Sequence, residues 1–239
     1  MKVLIACEES QEVCKAFRER GHEAYSADIK DCSGGHPEWH IKGDVLPLLN
    51  GNCTFMTEGG VWRHIDGEWD LLIAHPPCTY LTNCATRAFS LRMTPAEKVV
   101  QRWEERCEAA IFFMQCALAR CSRIAVENPI GFMSHWRKPD QIINPYQFAK
   151  DKDDVENYQM KTTCLWLSGL PKLKTNNLPK PEPVRRYMTK SGKMKNMYFE
   201  ENHGVINGIK HGGNDATARS KTFSGIAEAM AEQWGGTIS

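Results

Sequence analysis

Short apolar runs, each followed by polar residues, recur along the chain. Four of these runs are almost wholly apolar, which is typical of strands buried on both faces of a sheet. They are residues 3–6, 71–74, 124–126 and 164–167. A further strand is predicted at residues 24–28, and the apolar positions between it and the first run recur at helical spacing over residues 11–20.

Two longer helices follow from the same periodicity. A Thr-Pro start at residue 94 opens a helix expected to end near residue 121. Its predicted inner face consists of Trp103, Cys107, Ala110, Ile111 and Met114. Apolar residues over 223–234 predict a last helix that packs back on the domain.

Strands that alternate with helices predict an α/β fold with a doubly wound, Rossmann-like sheet and helices on both faces. The glycine-rich segment 51–69, with Gly59-Gly60 at its centre, indicates a hairpin insertion. Residues 172–195 contain eight basic residues and one acid, which predicts a small extended basic arm. We therefore divide the chain into a core over 1–170, an arm over 171–220 and a C-terminal helix over 221–239.

Charge and cysteine usage limit the possible partners. The 30 basic and 29 acidic residues leave a net charge of +1, so nucleic acid must be held by a local patch. The ten cysteines show no pairing pattern, the first residues do not form a signal peptide, and no apolar run is long enough to cross a bilayer. We expect a cytoplasmic protein with reduced thiols and no membrane partner.

Cys78 is the first candidate for chemistry. It follows a buried strand and the stiff Pro76-Pro77 pair, so it is delivered to the carboxyl edge of the sheet, where ligands bind in such folds. As a thiolate it would be a nucleophile. A buried, inert cysteine is the alternative, and this stretch alone does not decide between the two.

Glu127 and Asn128 end another buried strand, directly before Pro129. If the two strands are neighbours, both side chains lie beside Cys78, and a half-buried carboxyl group there would have a raised pKa. The alternative is a helix cap or a surface glutamate.

Asp28 follows a further strand and is a candidate for accepting the ribose hydroxyls of a nucleotide, and Asp44 is another acid at the end of a short strand. The glycine-rich fingerprint is absent, so an ordinary βαβ unit stays open. Cys32, His36 and His40 are spaced by four, but the glycines and proline among them argue against a helix that would gather them on a metal, and no metal site is predicted.

Taken in order, four motifs resemble those of the DNA cytosine carbon-5 methyltransferases, most closely the short, phage-type members. They are Pro76-Pro77-Cys78, Glu127-Asn128-Pro129, Gln159-x-Lys161-x-Thr163 and Gly225 at the start of the last helix. The resemblance implies a methyltransferase sheet, S-adenosylmethionine as cofactor and DNA as partner.

The resemblance also implies a role for each matching residue. Cys78 would attack carbon 6 of cytosine, Glu127 would hydrogen-bond ring nitrogen 3, Asn128 would position its loop and Lys161 would contact the base carbonyl. Asp28 would hold the cofactor ribose, Asp44 the adenine amino group, and Gly225 would border the methionine end. Also assigned to the cofactor are Pro76, Glu8 and Glu9, the two glutamates standing where the family has a glycine-containing turn.

DNA phosphates are expected to contact the arm, whose candidate residues are Lys172, Lys174, Arg185, Arg186, Lys190 and Lys193. The region before Gly225 is only about fifty residues long, less than the usual target-recognition domain. Two alternatives remain: an enzyme that modifies a free pyrimidine nucleotide, and a non-catalytic nucleic-acid-binding protein.

Overall fold

The computed structural model describes residues 1–183, 185–189, 192–198, 205–206, 209–210 and 221–236. In chain order the elements are β1 (Lys2–Ala6), α1 (Glu12–Glu19), β2 (Glu23–Asp28), β3 (His40–Lys42), β4 (Cys53–Met56), β5 (Trp62–Ile65), β6 (Leu71–Ala74), α2 (Ala96–Ala117), β7 (Ile124–Pro129), α3 (Met133–Trp136), β8 (Gln141–Ile143), β9 (Thr163–Ser168), β10 (Arg185–Met188), β11 (Met194–Met197), β12 (Val205–Ile206), β13 (Ile209–Lys210) and α4 (Ser224–Gly235).

Seven of these strands form one central sheet in the order β3-β2-β1-β6-β7-β9-β8. The first five run parallel, whereas β9 is antiparallel to both of its neighbours. The strand order reverses between β1 and β6, and the crevice outside the carboxyl ends of strands at such a switch point is where ligands bind. The predicted doubly wound, Rossmann-like fold is confirmed.

Helices cover both faces of the sheet, because each strand alternates its side chains between two cores. Val3 and Ile5 of β1 pack with α1 and α4 on one face. Leu4 and Ala6 pack with α2 on the other face. All four of these β1 residues are fully buried, which explains why this strand is continuously apolar and does not alternate apolar with polar residues.

The inner face predicted for α2 was right at Ala110 and, in part, at Met114, but wrong at its other three positions. Trp103, Cys107 and Ile111 are exposed, and Ile111 keeps 54% of its surface accessible. The buried residues are Val99, Arg106, Ala110, Phe113 and Cys116. This helix carries apolar residues on most of its faces, so periodicity did not identify the buried stripe. The inward-facing arginine hid that stripe further.

Arg106 is accommodated in this core by aromatic rings and one backbone acceptor. Its guanidinium carbon lies 3.4 Å from the centroid of Phe89 and 5.0 Å from that of Phe132. Its Nε donates to the Tyr80 carbonyl oxygen at 2.8 Å. Burial lowers the pKa of this arginine. Arg106 therefore fastens the segment that follows Cys78 to α2.

The hairpin insertion is confirmed as β4 and β5, which pair antiparallel between β3 and β6 of the chain. Phe55 and Ile65 turn inward and join the α2-side core together with Trp69. The ring of Phe55 meets Tyr25 edge-on at 5.1 Å. The insertion is thus packed onto the domain by its aromatic residues.

The chain leaves the sheet at the edge opposite to the strands' carboxyl ends, because β9 is antiparallel. Gly169 lies there against Ser122, where an added Cβ would stand 2.0 Å from the Ser122 carbonyl oxygen. The segment 170–179, which we call the return segment, then crosses the domain. Asn176 donates to the Ala149 carbonyl oxygen at 2.7 Å, and Pro179 accepts from the Tyr158 hydroxyl at 2.9 Å.

Beyond the return segment, β10 and β11 pair as an antiparallel hairpin. The sequence predicted only an extended arm for this stretch. The proposed division of the chain into three units stays a prediction. Among the described residues, no helix combines the length and hydropathy that crossing a membrane requires.

Candidate active site

The turn that carries Cys78 and the strand end that carries Glu127 lie side by side. Strands β6 and β7 are parallel neighbours, with Ala74 opposite Val126. Just beyond this pair, Asn128 donates from Nδ2 to the Pro76 carbonyl oxygen at 2.7 Å. The Asn128 side chain is buried, so this bond fixes the turn to the strand end away from water.

Cys78 itself is exposed, so the buried alternative for this cysteine was wrong. Its carbonyl oxygen accepts the amides of Leu81 and Thr82 at 3.0 and 2.9 Å. Two other cysteines are buried: burial raises the pKa of Cys116 to about 12 and that of Cys164 to about 11. Such groups are thiols at neutral pH, whereas Cys78 is exposed to solvent at the edge of the sheet.

The loop after Cys78 is joined to the loop after β7. Thr82 and Gly131 form a β-bridge, and Phe132 donates its amide to the Leu81 carbonyl oxygen at 2.7 Å. A Cβ on Gly131 would lie 2.0 Å from that same oxygen, so only glycine permits this approach. The two loops that border the candidate site are therefore a single packed unit.

Both carboxylate oxygens of Glu127 are held by protein groups. Thr163 donates its hydroxyl to Oε1, and His75 Nδ1 lies 3.5 Å from Oε2. Glu127 is part of β7 and its side chain is 27% exposed, so the helix-cap and surface alternatives were wrong. Thr163 reaches Glu127 because β9 is antiparallel and begins at the edge where β7 ends.

Sequence reasoning missed His75 altogether and named Thr163 only as the last residue of a motif. His75 directly precedes Pro76, and its side chain is 10% exposed. Burial lowers the pKa of His75, but the hydrogen bond and charge of Glu127, together with the charge of Glu8, outweigh burial and raise it. The available signal was its position: a histidine between a buried strand and the Pro-Pro-Cys turn.

Lys161 lies at the same edge as His75, whose pKa its charge lowers. Its Nζ donates to the Lys221 carbonyl oxygen at 3.3 Å and stands 5.1 Å from the centroid of Phe223. The lysine is therefore drawn toward the segment that opens α4.

In the turn after β1, buried polar side chains stand where dinucleotide-binding folds have glycines. Glu8 is buried and accepts the amides of Val13 and Cys14 at 2.7 and 3.2 Å. Its carboxylate thus occupies the N-terminus of α1, which dinucleotide-binding folds use for a pyrophosphate. Burial raises the pKa of Glu8. The charge of His75 and the hydrogen bonds from the two amides lower this pKa, but by less than burial raises it.

Glu9 and Gln11 anchor the loop that follows β2. Glu9 Oε2 accepts the Ser33 hydroxyl at 3.0 Å, while its buried Oε1 has no hydrogen-bond partner among the described residues. Gln11 has a left-handed backbone, with φ at 61°, and its Oε1 accepts the His36 amide at 3.0 Å. The loop therefore folds across the turn where a cofactor is expected.

Asp28 and Asp44 stand near each other at the ends of β2 and β3. Asp28 Oδ1 accepts the Lys30 amide at 2.9 Å, and Asp44 Oδ1 accepts the Leu46 amide at 3.0 Å. Burial first, then the charges of Cys116 and of these two aspartates, raise the pKa of Cys7. With Glu8 and Glu9, the edge of β1, β2 and β3 carries four carboxyl groups.

Gly225 opens α4 and is required there by packing. Its amide donates to Asn157 Oδ1 at 2.9 Å, and an added Cβ would lie 2.6 Å from the Phe148 carbonyl oxygen. Two residues earlier, Phe223 carries Lys161 on its ring. The start of α4 therefore borders the edge at which Lys161 lies.

The spaced cysteine and histidines have separate protein partners. Cys32 donates to Gln11 Oε1, His36 pairs with Glu38, and His40 bonds to Ser26. Within the described part of the chain, no group of three or more potential metal ligands comes together.

Most residues predicted to contact DNA lie on exposed parts of the arm. Arg185 and Arg186 project from β10, and Arg186 lies 3.5 Å from Glu182. Lys172, Lys174 and Lys193 are also exposed, whereas Lys190 lies outside the described residues.

No protein-family model matches the chain, and no curated protein matches it. Among solved structures, a triple mutant of Spodoptera frugiperda DNMT2 is matched with a TM-score of 0.34 and 13% sequence identity. The match covers 76% of this chain and 55% of that chain, so this chain spans just over half the length of that protein. A likeness this distant does not identify an activity.

Proposed function

We propose that this protein is an S-adenosylmethionine-dependent methyltransferase that modifies carbon 5 of cytosine in DNA through a covalent Cys78 adduct. The observation that carries the proposal is the bond from Asn128 to Pro76, which joins the turn that carries the exposed Cys78 to the strand end that carries Glu127. A nucleophile and a proton donor at one switch-point edge are what addition to a pyrimidine ring requires.

The carboxyl-rich edge suits S-adenosylmethionine better than a dinucleotide. Glu8 already occupies the α1 N-terminus, so that position would repel a pyrophosphate. The buried, unpartnered Oε1 of Glu9 offers an acceptor to an ammonium or hydroxyl group. Asp28 and Asp44 would hold the ribose and adenine ends. When bound, the cofactor supplies an electrophilic methyl group.

Each protein group at the site has a step in the reaction. The Cys78 thiolate forms a bond to ring carbon 6. The electron pair of the double bond between carbons 5 and 6 moves to carbon 5 and, through conjugation, toward nitrogen 3. Glu127 stabilises the charge that develops by donating a proton to nitrogen 3, while Lys161 contacts the base carbonyl. After carbon 5 has gained the methyl group, its proton passes to solvent water and the electron pair left behind re-forms the ring double bond. Cys78 departs in this step as the thiolate, and nitrogen 3 returns its proton to Glu127.

A base within a duplex must leave the stack before it reaches Cys78, at a cost of a few kcal/mol. Electrostatic attraction by the arm to the phosphates would offset part of that cost. Because the net charge is only +1, the attraction must come from this local concentration of basic residues.

The test uses an oligonucleotide that contains 5-fluorocytosine, whose carbon 5 cannot lose its substituent. We expect the wild type, with cofactor, to form a denaturation-resistant adduct and Cys78→Ala to form none and transfer no labelled methyl. Cys107→Ala, which alters an exposed cysteine on α2, is the matched control and should behave like the wild type. Full methyl transfer by Cys78→Ala would contradict the proposal.

A free pyrimidine nucleotide is the second candidate substrate, and the short arm favours it. Only about fifty residues separate β9 from Gly225, which leaves little chain for reading DNA sequence. Deoxycytidine monophosphate, offered in the same assay, separates the two: methylation of the nucleotide but not of DNA would assign the smaller substrate.

A further inference from the structure

His75 is placed in the candidate site by the sheet itself. Its amide donates to the Ala6 carbonyl oxygen at 2.9 Å, which continues the pairing of β6 with β1 by one residue. The Pro-Pro pair then turns the chain away. The imidazole is therefore delivered at the switch point, between the turn after β1 and the end of β7.

The two nitrogens of this imidazole differ in their surroundings. Nδ1 lies 3.5 Å from Glu127 Oε2. Nε2 is sealed from solvent and has no hydrogen-bond partner among the described residues. Proton exchange with the ring is therefore directed through Nδ1 and toward Glu127.

Charged groups from three elements face the ring. Glu127 approaches from β7, Glu8 from the turn after β1, and Lys161 from the segment before β9. The two carboxyl groups favour the imidazolium, while Lys161 and burial oppose it. The carboxyl groups prevail, which raises the pKa of His75.

We propose that His75 is a positioning residue that orients Glu127 and renews its proton, a proposal that rests on the methyl-transfer function above. Thr163 holds Oε1 and His75 holds Oε2, so the carboxyl group has one orientation. As charge develops on nitrogen 3 of the base, the imidazolium gives its Nδ1 proton to the Glu127 carboxylate and keeps the one on Nε2, and Glu127 passes a proton to nitrogen 3. Both protons return when Cys78 leaves.

The first experiment measures the His75 titration by NMR in the wild type and in Glu127→Gln, without substrate. We expect its pKa to be lower in Glu127→Gln, because the glutamine keeps the shape and removes the charge. An unchanged His75 titration would overturn the proposal. This measurement needs no activity, so it is decisive even if methyl transfer proves not to be the function.

The second experiment compares kinetics of the wild type with His75→Gln, which retains a hydrogen-bond donor but cannot titrate. We expect kcat to fall by about tenfold or more with KM little changed, and the loss of activity at high pH that follows imidazolium deprotonation to disappear. His64→Gln, on an exposed histidine of β5, is the control and should match the wild type.

If His75→Gln loses activity but keeps the wild-type pH profile, His75 is only structural and the proposal is overturned. If the wild type itself transfers no methyl group to DNA or nucleotide, the function proposed above fails instead. The two failures are therefore distinguishable.

Discussion

Asn128 donates to the Pro76 carbonyl oxygen at 2.7 Å, and this buried bond joins two turns that are 52 residues apart in the chain. One turn presents Cys78 and the other follows Glu127. Because both turns end parallel neighbouring strands, this amide contributes, with the contacts between the following loops, to the relative position of the two groups that the proposed chemistry requires.

Replacing Asn128 tests this connection. Asn128→Ala leaves the Pro76 carbonyl without its donor, which we expect to cost about 1 to 3 kcal/mol in the free energy of unfolding. Asn128→Asp is the isosteric comparison, since it removes the donor and keeps the volume. Urea unfolding measures the loss, and both variants should lose methyl transfer at temperatures where they remain folded. Wild-type activity in a folded Asn128→Ala would disprove the positioning role.

Glu8 should make stability depend on pH. Its pKa is raised in the folded chain, mainly by burial, so its contribution is complete below the unfolded value and is lost as the pH rises through the folded value. Glu8→Gln keeps an acceptor for the Val13 amide and removes the charge. We expect it to be more stable than the wild type at neutral pH, with the difference closing toward about pH 4.

Glu8→Gln should also weaken the binding of the cofactor, because the cationic cofactor loses a charged partner. We expect S-adenosylmethionine to bind Glu8→Gln about tenfold less tightly by calorimetry, or about 1.4 kcal/mol. Glu12→Gln, which alters a carboxyl group in the first turn of α1, is the control for both measurements. Equal affinity in the Glu8 variant would remove Glu8 from the cofactor site.

The basic arm should contribute to the salt dependence of DNA binding. Each phosphate contact contributes about 0.9 to the slope of log affinity against log salt. We expect Arg185→Ala/Arg186→Ala to flatten that slope by about 1 to 2, with little effect on cofactor binding. Arg120→Ala/Lys152→Ala removes the same number of exposed charges elsewhere. An equal loss in both double variants would indicate a general charge effect instead of a local one.

Much of the sheet was predictable because strands buried on both faces must be apolar along their whole length. The positions of Cys78 and Glu127 at strand ends followed from the proline after each run. By contrast, the role of Thr163 depends on β9 being antiparallel, a direction that local periodicity does not encode. The buried face of α2 was also hidden, since Arg106 lies there instead of an apolar residue and its charge is accommodated by ring contacts made only in three dimensions.

The direction of β9 also limits how long the tether to the arm can be. This strand carries the chain about 20 Å away from the site, and the return segment must bring it back. Its roughly ten residues span about 35 Å at full stretch, so the slack amounts to about four residues. Shortening the segment by more than this would leave the basic hairpin at the wrong edge of the domain, while the sheet folded unchanged.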